Sequence, residues 1–241
     1  MDGFDWVDSM VKVIAHRGTG EGPLENTLTA FQTAISWGVD CIECDIRSSS
    51  DGIAVIIHDL SLERRFSEPG TVAEYSLSEL KAMKRGTEDR IPSLAEFLDL
   101  VRSYKDLDIN LDVKVVGLEA QIMQQLEEYG LVHRTMISSF IQPVLTDFRS
   151  LNNEIATALL YEYDLRKPIE VAKELGCTSI NPQLHFVDSS LVRASHQEGL
   201  KINPWVINES EEMKQFIDLG VDGIITDFPP RLLKILNRGV A

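Results

Sequence analysis

Short apolar runs alternate with longer segments whose apolar positions recur every three or four residues along nearly the whole chain. The short runs at 12–15, 41–46, 109–113, 136–140, 156–161, 179–181, 202–207 and 223–227 read as eight strands. Helical spacing separates them. Residues 27–37 place Leu28, Phe31 and Ile35 on one face, and further helices are expected at 118–129, 143–151, 169–175, 190–197, 211–219 and 231–236. Ser93-Leu-Ala-Glu96 and Ser76-Leu-Ser-Glu79 are capping boxes that open two more. Gly130, Gly176, Gly199 and Gly220 follow four of these helices, where a left-handed C-terminal residue is wanted.

A ninth apolar run, 53–58, follows the second strand too closely for a crossover helix, and Asp51-Gly52 between them signals a two-residue hairpin turn. That turn pairs Ser50 with Ile53 and sets His58 opposite Asp45. A four-residue loop sets it opposite Glu43, whereas a three-residue loop turns it away from the carboxylate face. Eight strands each followed by a helix predict an α/β fold, a TIM-type (β/α)8 barrel with a short hairpin excursion after the second strand. A doubly wound open sheet is the alternative. At 241 residues the chain is long enough for one such barrel, and no linker or repeat divides residues 1–241.

Charge narrows the partners. With 38 acidic against 23 basic side chains, the formal net charge is −15. Such a field repels nucleic acid and anionic lipid, so neither nucleic-acid binding nor membrane insertion is expected. A site for an anionic substrate then needs locally concentrated positive charge. The amino terminus MDGFDWVDSM lacks the basic start and apolar run of a secretion signal, and a cytoplasmic location is expected. Three cysteines, Cys41, Cys44 and Cys177, do not make a disulfide framework, and the C-x-x-C of CIEC reads as buried strand thiols.

Polar residues gather at the carboxyl ends of the strands, where barrel active sites form. His16 and Arg17 directly follow Val13-Ile14-Ala15. Glu43 and Asp45 alternate with apolar neighbours in CIECDI, and Asp112 and Lys114 do the same in INLDVKV. Three converging carboxylates without interleaved cysteine describe a hard-cation site, for Mg²⁺ or Ca²⁺. A buried ion-pair network with Arg17 and Lys114 is the alternative. His16 and His58 beside that cluster form a candidate acid–base pair, while His133, His185 and His196 lack such company.

AHRGTGEGPLENTLTAF followed by CIECDIRSSSDGIAVIIHD resembles the opening signature of the glycerophosphodiester phosphodiesterases. The resemblance continues through SLSELKAMKRG, IPSLAEFLDL, LDVK, ISSF and GVDGIITDFPPRLL, over nearly the whole chain. It implies a barrel enzyme that hydrolyses glycerophosphodiesters to glycerol 3-phosphate and an alcohol, with one divalent cation, Mg²⁺ or Ca²⁺. It carries over His16 and His58 as acid–base pair, Glu43 and Asp45 as metal ligands, Arg17 and Lys114 as phosphate contacts, and Trp205 as an aromatic lining the alcohol pocket. Asp112 stands where the family usually has glutamate, a third ligand one methylene shorter. LERRF after the hairpin and PWVIN around Trp205 also depart from the family pattern. A lysophospholipase D-like or phosphoinositide-cleaving barrel, and a non-catalytic binding module, are the rival readings.

Overall fold

The computed structural model describes residues 11–18, 25–83 and 90–239. The acidic amino-terminal segment, residues 19–24 of the first motif and residues 84–86 of KAMKRG lie outside them. Its strands are β1 (Lys12–Ala15), β2 (Cys41–Ser48), β3 (Ala54–Ile56), β4 (Asp108–Val113), β5 (Thr135–Ser139), β6 (Ala156–Tyr161), β7 (Ser179–Pro182), β8 (Lys201–Ile202) and β9 (Gly223–Thr226). The helices are α1 (Leu28–Trp37), α2 (Glu63–Phe66), α3 (Leu77–Ala82), α4 (Leu94–Val101), α5 (Glu119–Tyr129), α6 (Gln142–Leu151), α7 (Pro168–Glu174), α8 (Ser189–Gln197), α9 (Ser210–Leu219) and α10 (Pro229–Ile235).

All strands but β3 pair in parallel, in the order β8-β7-β6-β5-β4-β2-β1-β9, giving the nearly closed barrel that the alternation predicts. The remaining seam lies between β8 and β9. There the strand expected at 202–207 is shorter than its apolar run, because Pro204 has no N–H to give a ladder. The backbone still bridges the gap: Asp222 N–H donates to Ile202, Ile225 N–H to Pro204 and Ile207 N–H to Ile225.

Residues alternate across the barrel wall. In β2, Ile42, Cys44 and Ile46 join the large apolar layer under the helices. Cys41 instead packs with Ile14 and Ile225. The C-x-x-C thiols therefore serve opposite faces, and all three cysteines are free and buried. Helix α4 shows how the outer layer is held. Ser93 caps it, Ser93 and Glu96 completing the predicted box, and Leu94, Phe97, Leu98 and Val101 are buried. Phe97 meets Phe31 of α1 edge-on, with ring centroids 4.8 Å apart. Each such side chain contributes about 1.5–3 kcal/mol through burial. The Ser76 box also forms, and the four predicted helix-ending glycines take positive φ.

The hairpin corrects one expectation. Ser48 pairs with Ala54 and Arg47 with Val55, and Ser49 N–H donates to Ile53. The loop is therefore three residues, not two. Ser49 causes the difference: its hydroxyl donates to Asp51 Oδ1 at 2.6 Å and accepts from Ile53 N–H at 3.0 Å. The turn closes on Ser49, and Gly52 takes the left-handed position (φ 75°) that follows. Asp45 then stands opposite Ile57, whose N–H donates to the Asp45 carbonyl. Strict alternation would now turn His58 away. It does not, because the ladder ends at Ile56 and Arg47 Nε holds the His58 carbonyl at 2.7 Å, where the chain bends.

At the end of β1, the turn that carries His16 and Arg17 is backed by Gly18 (φ 86°), where an added Cβ would lie 2.9 Å from both the Ala30 carbonyl carbon and Phe31. Gly52 also has positive φ, but its Cβ position is open. Gly52→Ala should cost ~1 kcal/mol of unfolding free energy, as left-handed strain alone predicts. Gly18→Ala should cost roughly 2–3 kcal/mol, since steric overlap adds to the strain. Urea denaturation midpoints check the difference, and equal costs would show that α1 yields to the added methyl.

Candidate active site

Strand pairing sets the level at which each polar side chain enters the barrel. Asp45 of β2 lies beside Asp112 of β4, and Glu43 beside Asn110 one level deeper. One oxygen from each of Glu43, Asp45 and Asp112 falls within 4.8 Å of the others, and all three residues are buried. The shorter Asp112 side chain therefore still joins the cluster.

Two cations flank it. Arg17 Nε lies 3.1 Å from Asp45 Oδ2, and Lys114 Nζ lies 3.0 Å from Asp45 Oδ1 while also donating to Asp112 Oδ2. Arg17 N–H donates to Glu43 Oε2 at 2.8 Å, its guanidinium to Glu25 Oε1 at 2.8 Å. Asn26 donates from Nδ2 to Asp45 Oδ2 at 2.7 Å and accepts the Asp45 N–H. The ion-pair alternative thus accounts for Asp45. It does not account for Asp112 Oδ1, which is buried without a hydrogen-bond partner among the described residues.

The carboxyl groups answer this field unequally. Burial pushes Glu43 up to about 8, with the neighbouring Asp45 charge adding to it. Burial likewise raises Asp112. For Asp45 burial opposes ionisation too, but Lys114 and Arg17 overcome it and hold the group well below the usual carboxylate range. Three carboxyl groups, with one Asp112 oxygen unpartnered among the described residues, against two cations suit an oxygen-seeking divalent ion.

Both predicted histidines reach this pocket, each held through Nδ1. His16 meets Asp227 Oδ1 at 2.7 Å, and His58 meets Asp59 Oδ1 at 3.0 Å. Asp227 is fixed in turn by Asn208 Nδ2 at 2.8 Å, and Asp59 by Arg64 Nε at 2.8 Å. Nε2 is the nitrogen each leaves for a substrate. Their environments differ. Burial opposes the charged form of His16, but the Asp227 hydrogen bond and the Glu43 charge outweigh it, so His16 titrates above the ordinary value. Burial lowers His58, and Arg17 and Lys114 reinforce it against the pull of Asp45 and Asp59.

One pocket takes in every predicted site residue. Trp205 lines its wall, with its ring N–H donating to the Asn181 carbonyl at 2.8 Å. Phe140 stands perpendicular to it, centroids 5.7 Å apart. His133, His185 and His196 are exposed outside the pocket. Sequence reasoning gave no role to Asp227, Asp59, Asn26, Glu25, Phe140 or Glu162. The first five lay in motifs already noted (TDF, HD, ENT and ISSF), but only Asp59, directly after His58, carried a signal of adjacency to a candidate residue. Asn208 had none.

The sequence matches the model of the glycerophosphoryl diester phosphodiesterase family over residues 16–231. A protein of Caldanaerobacter subterraneus subsp. tengcongensis, named glycerophosphodiester phosphodiesterase, is 33% identical over 239 residues, covering 94% of this chain and 98% of that protein. One of the same name from Bacillus altitudinis is 33% identical over 94% of this chain and 98% of its own. Among solved structures, an Oleispira antarctica phosphodiesterase in complex with the product sn-glycerol-3-phosphate superposes with a TM-score of 0.85. It is 27% identical, over 94% of this chain and 96% of its own.

Replacing Asp227 with asparagine removes the charge that sustains the His16 proton. NMR titration of the metal-free protein should place His16 above an ordinary histidine and bring it down in Asp227→Asn, with His58 unmoved. A His16 value insensitive to Asp227→Asn would mean that the dyad does not set its basicity.

Proposed function

The chain belongs to the glycerophosphoryl diester phosphodiesterase family, and from that premise we propose that it hydrolyses glycerophosphodiesters to glycerol 3-phosphate and an alcohol. One observation carries the reading. Two imidazoles, each oriented by its own carboxylate, line a single pocket with Arg17, Lys114 and the carboxylate triad. A mere binding module has no need to hold both imidazoles by the same nitrogen. Among the described residues no helix is long and apolar enough to cross a membrane, and a small-molecule substrate suits the pocket. The glycerol 3-phosphate bound to the Oleispira relative supports the product.

Glu43, Asp45 and Asp112 would hold one divalent ion, Mg²⁺ or Ca²⁺. When bound, that ion supplies charge and Lewis acidity to a phosphate oxygen. Arg17 and Lys114 offset the negative charge that grows on the phosphoryl oxygens, in a site where burial strengthens each interaction. Their pairing with Asp45 holds them in place before substrate arrives. His58, titrating low, is neutral near pH 7 and accepts the proton of the attacking oxygen, that of water directly or of a glycerol hydroxyl whose cyclic phosphate water then opens. His16, titrating high, keeps the proton that the departing alcohol needs. Trp205 offers its indole as an apolar wall for the organic part of the substrate.

Purified protein should release glycerol 3-phosphate from glycerophosphocholine with added Mg²⁺ or Ca²⁺, and stop in chelator. His16→Ala and His58→Ala should each lower kcat by roughly 10²–10⁴-fold, with urea midpoints near that of the parent. Undiminished turnover in chelator or in either variant would contradict the assignment.

The pH profile of kcat/KM follows from the two shifts. Activity should fall as pH drops through the lowered His58 value, since the base becomes protonated. It should fall again as pH rises through the raised His16 value, since the acid loses its proton. Asp227→Asn should draw only the alkaline limb downward; a shift of the acidic limb instead would reverse the two roles.

A further inference from the structure

Glu162 is a charged lining residue that phosphodiester hydrolysis does not explain. Leu160 and Glu162, two apart at the carboxyl end of β6, line the pocket, while Tyr161 between them packs into the outer apolar layer. Glu162 is exposed and, among the described residues, has neither ion pair nor hydrogen bond. Among the described residues, the other acidic side chains that flank the histidines and Arg17 are engaged: Glu25 by Arg17, Asp59 by Arg64 and Asp227 by His16. An unneutralised carboxylate in the wall of an anion-binding pocket repels the phosphate it is meant to hold.

Its position resolves the conflict. The groups that handle the anion lie on β2 and β4 and just after β1 and β4, whereas β6 is separated from β4 by β5. Phe140, just after β5, and Trp205 stand edge to face, and Lys114 Nζ lies 5.7 Å from the Phe140 ring centre. The pocket is thus cationic on one side, with aromatic rings in its wall and a lone carboxylate on the other side. A ligand that fits has an anionic phosphate at one end and a cation at the other. Aromatic faces and a carboxylate together recognise ammonium groups through complementary charge and cation–π attraction.

We propose that Glu162, with Phe140 and Trp205, forms a head-group subsite for a cationic alcohol, a quaternary or primary ammonium alcohol, so that zwitterionic glycerophosphodiesters are the preferred substrates. This rests on the hydrolytic reading above and adds the substrate class. The specificity is a difference between substrates: the carboxylate attracts a cationic head group and gives a neutral one nothing.

The test compares glycerophosphocholine with its uncharged isostere, the 3,3-dimethylbutyl glycerophosphodiester, which keeps the shape and drops the charge. The parent enzyme should favour the choline ester in kcat/KM by about tenfold, less at high ionic strength. In Glu162→Gln that ratio should fall several-fold, chiefly through KM for the choline ester, to the smaller preference that Phe140 and Trp205 supply, and in Glu162→Lys it should fall further. Hydrolysis of both diesters with the same ratio in parent and Glu162→Gln overturns the subsite alone. Hydrolysis of neither overturns the phosphodiesterase reading and the subsite with it.

Discussion

Three carboxyl groups, Glu43, Asp45 and Asp112, are buried within reach of one another, and the surrounding side chains are arranged about the cost of that burial. Buried like charges resist ionisation unless cations meet them. Arg17 and Lys114 meet only Asp45 in full; Glu43 and Asp112 are left titrating high, and one Asp112 oxygen has no hydrogen-bond partner among the described residues. The barrel thus carries a deficit of positive charge at its mouth. The same deficit suits a divalent ion, and pairing with Asp45 fixes the two cations beside it.

The fold supplies this arrangement through register. Parallel pairing of β2 with β4 puts Asp45 level with Asp112, and alternation sends the residues between them outward into the helix layer. Loops at the strand ends then add two histidine–carboxylate pairs: His16 after β1 with Asp227 after β9, and His58 with Asp59 after the hairpin strand. Both histidines bind a carboxylate, but Glu43 adds to the pull on His16 whereas burial, Arg17 and Lys114 depress His58, so their basicities diverge, and a divergent pair can give and take protons at one pH.

Much of this was legible in the sequence. Strand ends followed by charged residues located the mouth, and two-residue alternation in CIECDI and INLDVK located the carboxylates, because both depend on local backbone geometry alone. The hairpin loop was misread by one residue, since Asp-Gly signals a tight turn but Ser49 closes the chain first with its own hydroxyl. His58 reached the pocket by a different route, a bend held by Arg47, which no parity rule contains. Asp227 lies 211 residues from His16, and only the closed barrel brings them together. Glu162 was missed for the opposite reason: it follows β6 with no companion in sequence, and that no described residue pairs with it appears only in three dimensions.

The cation site is the part of this account on which the others lean, and calorimetric titration of chelator-stripped protein with Mg²⁺ and Ca²⁺ addresses it directly. One ion should bind per chain, with a proton released to the buffer at pH 7 because Glu43, pushed up to about 8 by burial, holds one there. Asp112→Asn should weaken binding by about tenfold or more. Absence of saturable binding, or an unchanged affinity in Asp112→Asn, would show that the three carboxyl groups do not hold a metal.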